Sequence, residues 1–228
     1  MSGSAHAESP SAPSYSQSGP EAGGVRGLWR TPRGVWLAPL TLLGRSTYDL
    51  DAASDNGPDI TVPSTRRLIP ADDALVNAWF SEPIAMDTPL LVRPLVWLNP
   101  PFGKGWGGKR EWVAAARDHA LNGALVAFYC PAYGDRWADD LEAEALTTIR
   151  MGGGRVRHVP PQGVLPSSPG PVAHRIWLLG PPHLRANWDL HARLVWNHRL
   201  EGWIRPLMAP PWYPALAVHS KLPGRGRP

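Results

Sequence analysis

The sequence predicts an α/β fold, an open sheet of parallel strands with helices on its faces, built as one domain. Three observations predict it. Ala124 to Cys130 is an unbroken apolar run, the pattern of a parallel strand covered on both sides. Leu95 to Leu98 is a second, shorter run of the same kind. Segments with helical spacing alternate with these strands along the chain. A length of 228 residues fits a single domain with loose ends, and 43% hydrophobic residues supply a sizeable core.

Taken in order, residues 1–25 are rich in Ser, Gly, Pro and Ala and are expected to form a flexible leader; they lack the apolar core of a signal peptide. Arg33 to Leu43 has helical spacing, with Pro39 expected to bend or split the helix. Ser46 to Asp51 reads as a short strand ending in acids, and Asp72 to Phe80 as a helix opened by an Asp cap. The strand at Leu95 to Leu98 runs straight into Asn99. Glu111 to Leu121 reads as a helix with Trp112, Ala115 and Ala116 available for one face, and Asp135 to Ile149 as another helix. Two strand candidates come next, Arg155 to Val159 and Ala173 to Leu179, and residues 186–205 read as a last helix. The domain is thus placed at 26–205, and 206–228 as a Pro-rich basic tail.

Composition removes several function classes. The single cysteine, Cys130, permits neither an internal disulfide nor a zinc site of paired cysteines, and is expected to be a small buried hydrophobe. The eight histidines show no ligand spacing, so no metal is expected. No segment approaches the roughly 20 apolar residues of a bilayer span, so no membrane partner is expected and the location is read as cytoplasmic. A net charge of +4 suits a polyanionic partner without identifying one.

In an open α/β sheet, ligands bind at the carboxyl ends of the strands. The residues just past each strand are therefore the place to look for chemistry. After 95–98 comes Asn99-Pro100-Pro101-Phe102, and the strand at 46–51 ends in Asp51-Ala52-Ala53. Ahead of the first helix stands Trp29-Arg30-Thr31-Pro32. An Asn side-chain carbonyl and a neighbouring backbone carbonyl suit the activation of a conjugated amine, whose lone pair is delocalised into its ring. Accepting hydrogen bonds from both amine hydrogens localises that pair. Two prolines stiffen such a loop, because each fixes φ and removes a competing donor. Phe102 offers a flat face on which a flipped-out base can stack. Four Pro-Pro pairs occur in the chain, but only Pro100-Pro101 follows Asn and precedes an aromatic. Asp51 suits a ribose hydroxyl or an ammonium group, and equally a turn cap.

The loop from Gly103 to Lys109 satisfies G-x(4)-G-K between a strand and a helix. A phosphate-binding P-loop needs Ser or Thr next to hold magnesium, and Arg110 cannot do that. Lys104, Lys109 and Arg110 are instead candidates for contact with nucleic-acid phosphates, although a solvated glycine-rich loop has the same composition. Among the twelve tryptophans, Trp106 and Trp137 are candidates for base stacking.

The order Trp-x-Thr-Pro, Leu-Asp-x-Ala, Asp-x-Leu-x(3)-Trp and Asn-Pro-Pro-aromatic resembles phage DNA N6-adenine methyltransferases, the Dam-like prophage group. Here these stretches are Trp29 to Pro32, Leu50 to Ala53, Asp73 to Trp79 and Asn99 to Phe102, and the resemblance covers roughly residues 28–180. It implies a single Rossmann-like methyltransferase domain that uses S-adenosyl-L-methionine and acts on double-stranded DNA. It further implies that Thr31 and Pro32 border the methionine end of that cofactor, that Asp51 contacts it and that Asp73 approaches its adenine ring. Asn99 to Phe102 would hold the target base. For a phage-borne enzyme the location would be the cytoplasm of a bacterial host. Two departures stand out: Phe102 occupies a position where the family more often has Tyr, and no Gly-rich loop comes after Asp51. The same chemistry also serves enzymes acting on RNA adenine, cytosine N4 or glutamine, and a silent DNA-binding relative would keep the fold. Segments 55–70 and 150–172 are candidates for reading the target sequence.

Overall fold

In the computed structural model, residues 30–54, 62–101, 108–131, 136–159, 173–185 and 194–205 are described. The leader at 1–25 and the tail at 206–228 lie outside them. The chain first forms α1 (Arg33–Leu43), then β1 (Tyr48–Asp51), β2 (Ser64–Arg67) and β3 (Leu95–Leu98). Next come α2 (Lys109–Leu121), β4 (Leu125–Pro131), α3 (Arg136–Glu144) and β5 (Thr147–Gly152). It ends with β6 (His174–Leu179), the short α4 (Pro182–Arg185), β7 (Leu194–Asn197) and β8 (Gly202–Arg205). All eight strands join one mostly parallel sheet in the order β2-β1-β3-β4-β6-β5-β7-β8. β6 runs antiparallel between β4 and β5, and β8 runs antiparallel at the edge.

The central strands are apolar on both sides because both sides are covered. Leu95, Trp97, Leu125, Ala127, Tyr129, Ile176 and Leu178 pack with the buried face of α1. Val96, Leu98, Val126, Phe128, Cys130, Trp177 and Leu179 pack instead with Trp112, Val113 and Ala116 of α2 and with Ala138 and Leu141 of α3. This alternation is the period-2 consequence of strand geometry, with helices closing each face.

α1 runs unbroken through Pro39, where the sequence predicted a bend or a split. Its buried residues, among them Val35, Ala38, Leu40 and Leu43, hold it on the sheet, and this packing outweighs the hydrogen bond that Pro39 cannot make. Gly44 ends the helix at φ 64°, in the left-handed region that glycine enters without steric cost. Gly34 is required for a different reason. A Cβ there would collide with the backbone of His198, and its carbonyl accepts a 2.5 Å bond from Trp196 Nε1.

Four expectations are corrected. The helix expected at Asp72 to Phe80 is a 3-10 turn at Pro70–Asp72 followed by turns. Asp72 Oδ2 accepts from the Ile69 N–H at 2.7 Å, and Asp73 adopts a left-handed φ of 43°, which stops helix propagation. The helix expected to reach Ile149 ends at Glu144, because β-branched Thr147, Thr148 and Ile149 enter the sheet as β5. Arg155 to Val159 is not a strand; only Val159 forms an isolated bridge, to Arg30. The helix expected over 186–205 contains β7 and β8, joined by a turn in which Glu201 takes φ 50°; residues 186–193 lie outside the described residues. No helix among the described residues is long and apolar enough to cross a membrane.

Candidate functional site

The strand order locates the site. From β1 the chain passes to β2 on one side, then crosses to β3 on the other, and both neighbours are parallel to β1. The carboxyl ends of β1 and β3 therefore flank the crevice where the winding direction switches, and such crevices receive ligands. Asp51 ends β1, level with Trp97 in the register, and Asn99 follows the last residue of β3.

Asp51 is 7% exposed. The Ala53 N–H approaches its Oδ1 at 3.4 Å, and its charge adds to burial in pushing the Tyr48 hydroxyl well above the usual tyrosine range. Its backbone is fixed on both sides: Leu68 N–H donates to the Asp51 carbonyl at 2.9 Å, and Ala52 N–H donates to the Trp97 carbonyl at 3.0 Å. Asp49, two residues earlier, does other work. Its Oδ2 accepts from the Leu95 N–H at 2.7 Å and pairs with Arg45 at 3.1 Å, so it locks β1 to β3.

Asn99 is half-buried and Pro100 is buried. Asn99 Nδ2 donates to Thr31 Oγ1 at 2.8 Å, across 68 positions of sequence, and Thr31 is 3% exposed. The structure thus brings Thr31, Asp51 and Asn99 to one edge of the sheet, with Pro32 at the N-terminal cap of α1. With its nitrogen committed to Thr31, the Asn99 amide keeps Oδ1 as its acceptor. Asp73 sits five residues past Leu68, and its backbone is held by bonds to Pro70, Val76 and Asn77. No bond joins it to Asp51 or Asn99 among the described residues.

Lys109 and Arg110 open α2, whose N-terminus follows the carboxyl end of β3. Lys109 Nζ lies 5.5 Å from the Trp137 ring in the first turn of α3, so the two helix starts meet, and Arg110 is exposed. Trp137, a candidate for stacking, is half-buried and packs edge-on against Trp177 at 5.7 Å. Phe102, Lys104 and Trp106 lie outside the described residues, as do most of the candidate reading segments, 55–61 and 160–172. The described part of those segments includes β2 and the end of β5.

Two groupings carry no signature in the sequence. A cleft of about 360 Å³ is lined by Asp139, Glu142, Arg150 and Arg175, with Arg175 Nη1 2.5 Å from Glu142 Oε2. Its two acids and two bases balance, which leaves no net charge to draw a ligand. The second lies on the α1 side of the sheet, one residue past the Leu98–Phe128 pair: Tyr129, fully buried, stacks on His174 at 5.2 Å, and His158 Nε2 is 3.3 Å from its hydroxyl. Burial lowers the pKa of His158 and raises that of Tyr129, so both are neutral near pH 7. The only hint in the sequence was a tyrosine inside an apolar strand. No group of three or more His, Cys, Asp or Glu able to hold a metal gathers among the described residues. No protein-family model, curated protein or solved structure matches the chain.

Proposed function

We propose that this chain is a Rossmann-like, S-adenosyl-L-methionine-dependent methyltransferase that acts on the N6 amino group of a flipped-out adenine in double-stranded DNA. One observation carries the reading. Asn99-Pro100 and Asp51 stand at the carboxyl ends of adjacent parallel strands, on either side of the switch in strand order, with Thr31 bonded to the Asn99 amide.

In this reading Asn99 Oδ1 and the Pro100 carbonyl accept the two N6 hydrogens and draw the nitrogen toward sp³ geometry. In the same reading Thr31 Oγ1 accepts one Nδ2 hydrogen and leaves the Asn99 Oδ1 toward the base. Neither Pro100 nor Pro101 has an N–H to compete, and Phe102 supplies the stacking face. No strong base is needed, since the proton leaves to water after transfer. The protein contributes positioning and electrostatics.

The residues present fit the cofactor. A carboxylate only 7% exposed at the end of β1 suits a ribose hydroxyl or the methionine ammonium. Asp51 would hold that group, Thr31 and Pro32 would border the methionine end, and Asp73 would lie toward the adenine ring. S-adenosyl-L-methionine supplies the methyl group when bound. Lys104, Lys109 and Arg110 would meet DNA phosphates at the mouth of the site.

The test is transfer of a labelled methyl group from S-adenosyl-L-methionine to unmethylated duplex DNA, RNA and a protein extract offered in parallel. Label recovered as N6-methyladenine in DNA is the expected result. Label in RNA or protein would overturn the substrate, and absence of both transfer and cofactor binding would overturn the enzyme.

A further inference from the structure

Asn99 is held through a chain of contacts. Its Nδ2 donates to Thr31 Oγ1 at 2.8 Å. Next to Thr31, Arg30 exchanges two backbone bonds with Val159, each 2.9 Å. Next to Val159, His158 meets the Tyr129 hydroxyl at 3.3 Å. Tyr129 lies on β4, one residue beyond Phe128, and Phe128 is paired with Leu98, the residue before Asn99. The contacts thus run from the Asn99 side chain back to the strand beside β3.

The Arg30–Val159 bridge lies outside the named strands. Residues 155–158 are irregular, and among the described contacts side chains hold them. Val156 is buried, and the His158 ring is gripped by the Tyr129 hydroxyl and lies 5.3 Å from the His174 ring. Tyr129 cannot shift to follow a moving loop, because it is stacked between Trp97 at 5.7 Å and His174 at 5.2 Å. A rigid tyrosine on the central sheet thus sets the loop, the loop sets the segment entering α1, and that segment sets the Asn99 amide.

We propose that Tyr129 and His158 are positioning residues for Asn99, acting through the Arg30–Val159 bridge and Thr31. Their effect on catalysis rests on the methyltransferase reading; their effect on the Asn99 side chain does not. Both are neutral, and in the Nδ1–H tautomer of His158 the hydroxyl donates to the Nε2 lone pair.

Two readouts test this on the full chain. The first is solvent exchange of the Asn99 side-chain amide protons in nitrogen-15-labelled protein, with the signal identified by its loss in Asn99→Ala. Tyr129→Phe removes one oxygen and keeps the ring stack; exchange is expected to quicken about tenfold or more as the Thr31 bond loosens. On a Thr31→Val background the same change should add nothing, as a shared circuit requires. Unchanged exchange in Tyr129→Phe, or additive effects in the double variant, overturns the proposal. The second readout is turnover: Tyr129→Phe should lower kcat about tenfold to a hundredfold with cofactor affinity within about twofold, the signature of misplacement rather than lost binding. His158→Gln, which keeps an acceptor, should retain the wild-type values, and His158→Leu should not; equal loss in both overturns the hydrogen-bonding role. If the wild type transfers no methyl group the function fails, while the exchange experiment still judges the circuit.

Discussion

At the amino end of the sheet, Arg93 is fully buried and gives its guanidinium to the carbonyls of Gly123 at 2.9 Å and Met86 at 2.5 Å. Its own carbonyl accepts from Arg45, which in turn pairs with Asp49, whose other bond holds the first residue of β3. At the carboxyl end, Asn99 spends its amide nitrogen on Thr31 and keeps its oxygen, with the Asp51 carboxylate at the end of the neighbouring strand. Both ends are built from buried and half-buried polar groups at the ends of the same strands. One set turns its guanidinium and carboxylate onto the backbone and closes the sheet; the other orders its members while leaving an acceptor for a guest. A strand that begins in the first and ends in the second, as β3 does, converts rigidity at one edge into precision at the other.

Changes at the two ends should separate activity from stability. The largest effect is expected for Asn99→Ala, which should lower methyl transfer about a hundredfold or more, the scale of a lost oxyanion-type donor or acceptor, with the melting temperature unmoved. Near-normal turnover would place the base elsewhere. Arg93→Ala should do the reverse. Losing a buried charge and stranding two carbonyls costs on the order of 3 kcal/mol in chemical denaturation, with turnover retained by the folded fraction. Asp51→Asn comes next, with S-adenosyl-L-methionine binding in a calorimetric titration weakened about tenfold, as for one charge-assisted hydrogen bond. Unchanged affinity would leave Asp51 a turn residue.

The smallest effect is on pH. Burial holds His119, His158 and His198 below the usual imidazole value of 6.5. The unfolded chain takes up protons that the fold resists, so stability is fully present above about pH 6.5 and declines as pH falls below it. His119 stacks on Trp79 at 4.0 Å, on the face of the sheet opposite His158. Denaturation midpoints across pH 5–7.5 should flatten in His119→Gln without a change in turnover. A midpoint that rises on acidification would reverse the sign and the argument.

The sequence made some of this plain for physical reasons. Leu95 to Leu98 and the run ending at Cys130 are apolar because they are covered on both faces, so the Asn99 loop could be placed from residue pattern alone. β2 was hidden because Ser64 to Arg67 is a polar edge strand with no buried stripe to betray it. Leu194 to Asn197 and Gly202 to Arg205 are too short to show a period, and together they mimicked helical spacing. Asp72 looked like the cap of a helix to follow and is instead the last residue of a 3-10 turn, its side chain reaching back to Ile69, since the left-handed Asp73 beside it cannot be read from residue type. At the site, Thr31, Asp51 and Asn99 were each visible beside a strand or helix end. Their meeting was not, because it depends on strand order.

The bond from Trp196 to the Gly34 carbonyl joins positions 162 residues apart. As the chain leaves the ribosome, α1 emerges long before β7, which completes its cover. Vectorial synthesis therefore leaves the Gly34 side of α1 uncovered until Trp196 arrives, and this cover is completed late in folding. A chain released before Leu194 would contain the contacts that align Thr31 with Asn99 and still lack the strand that pins the helix following Thr31.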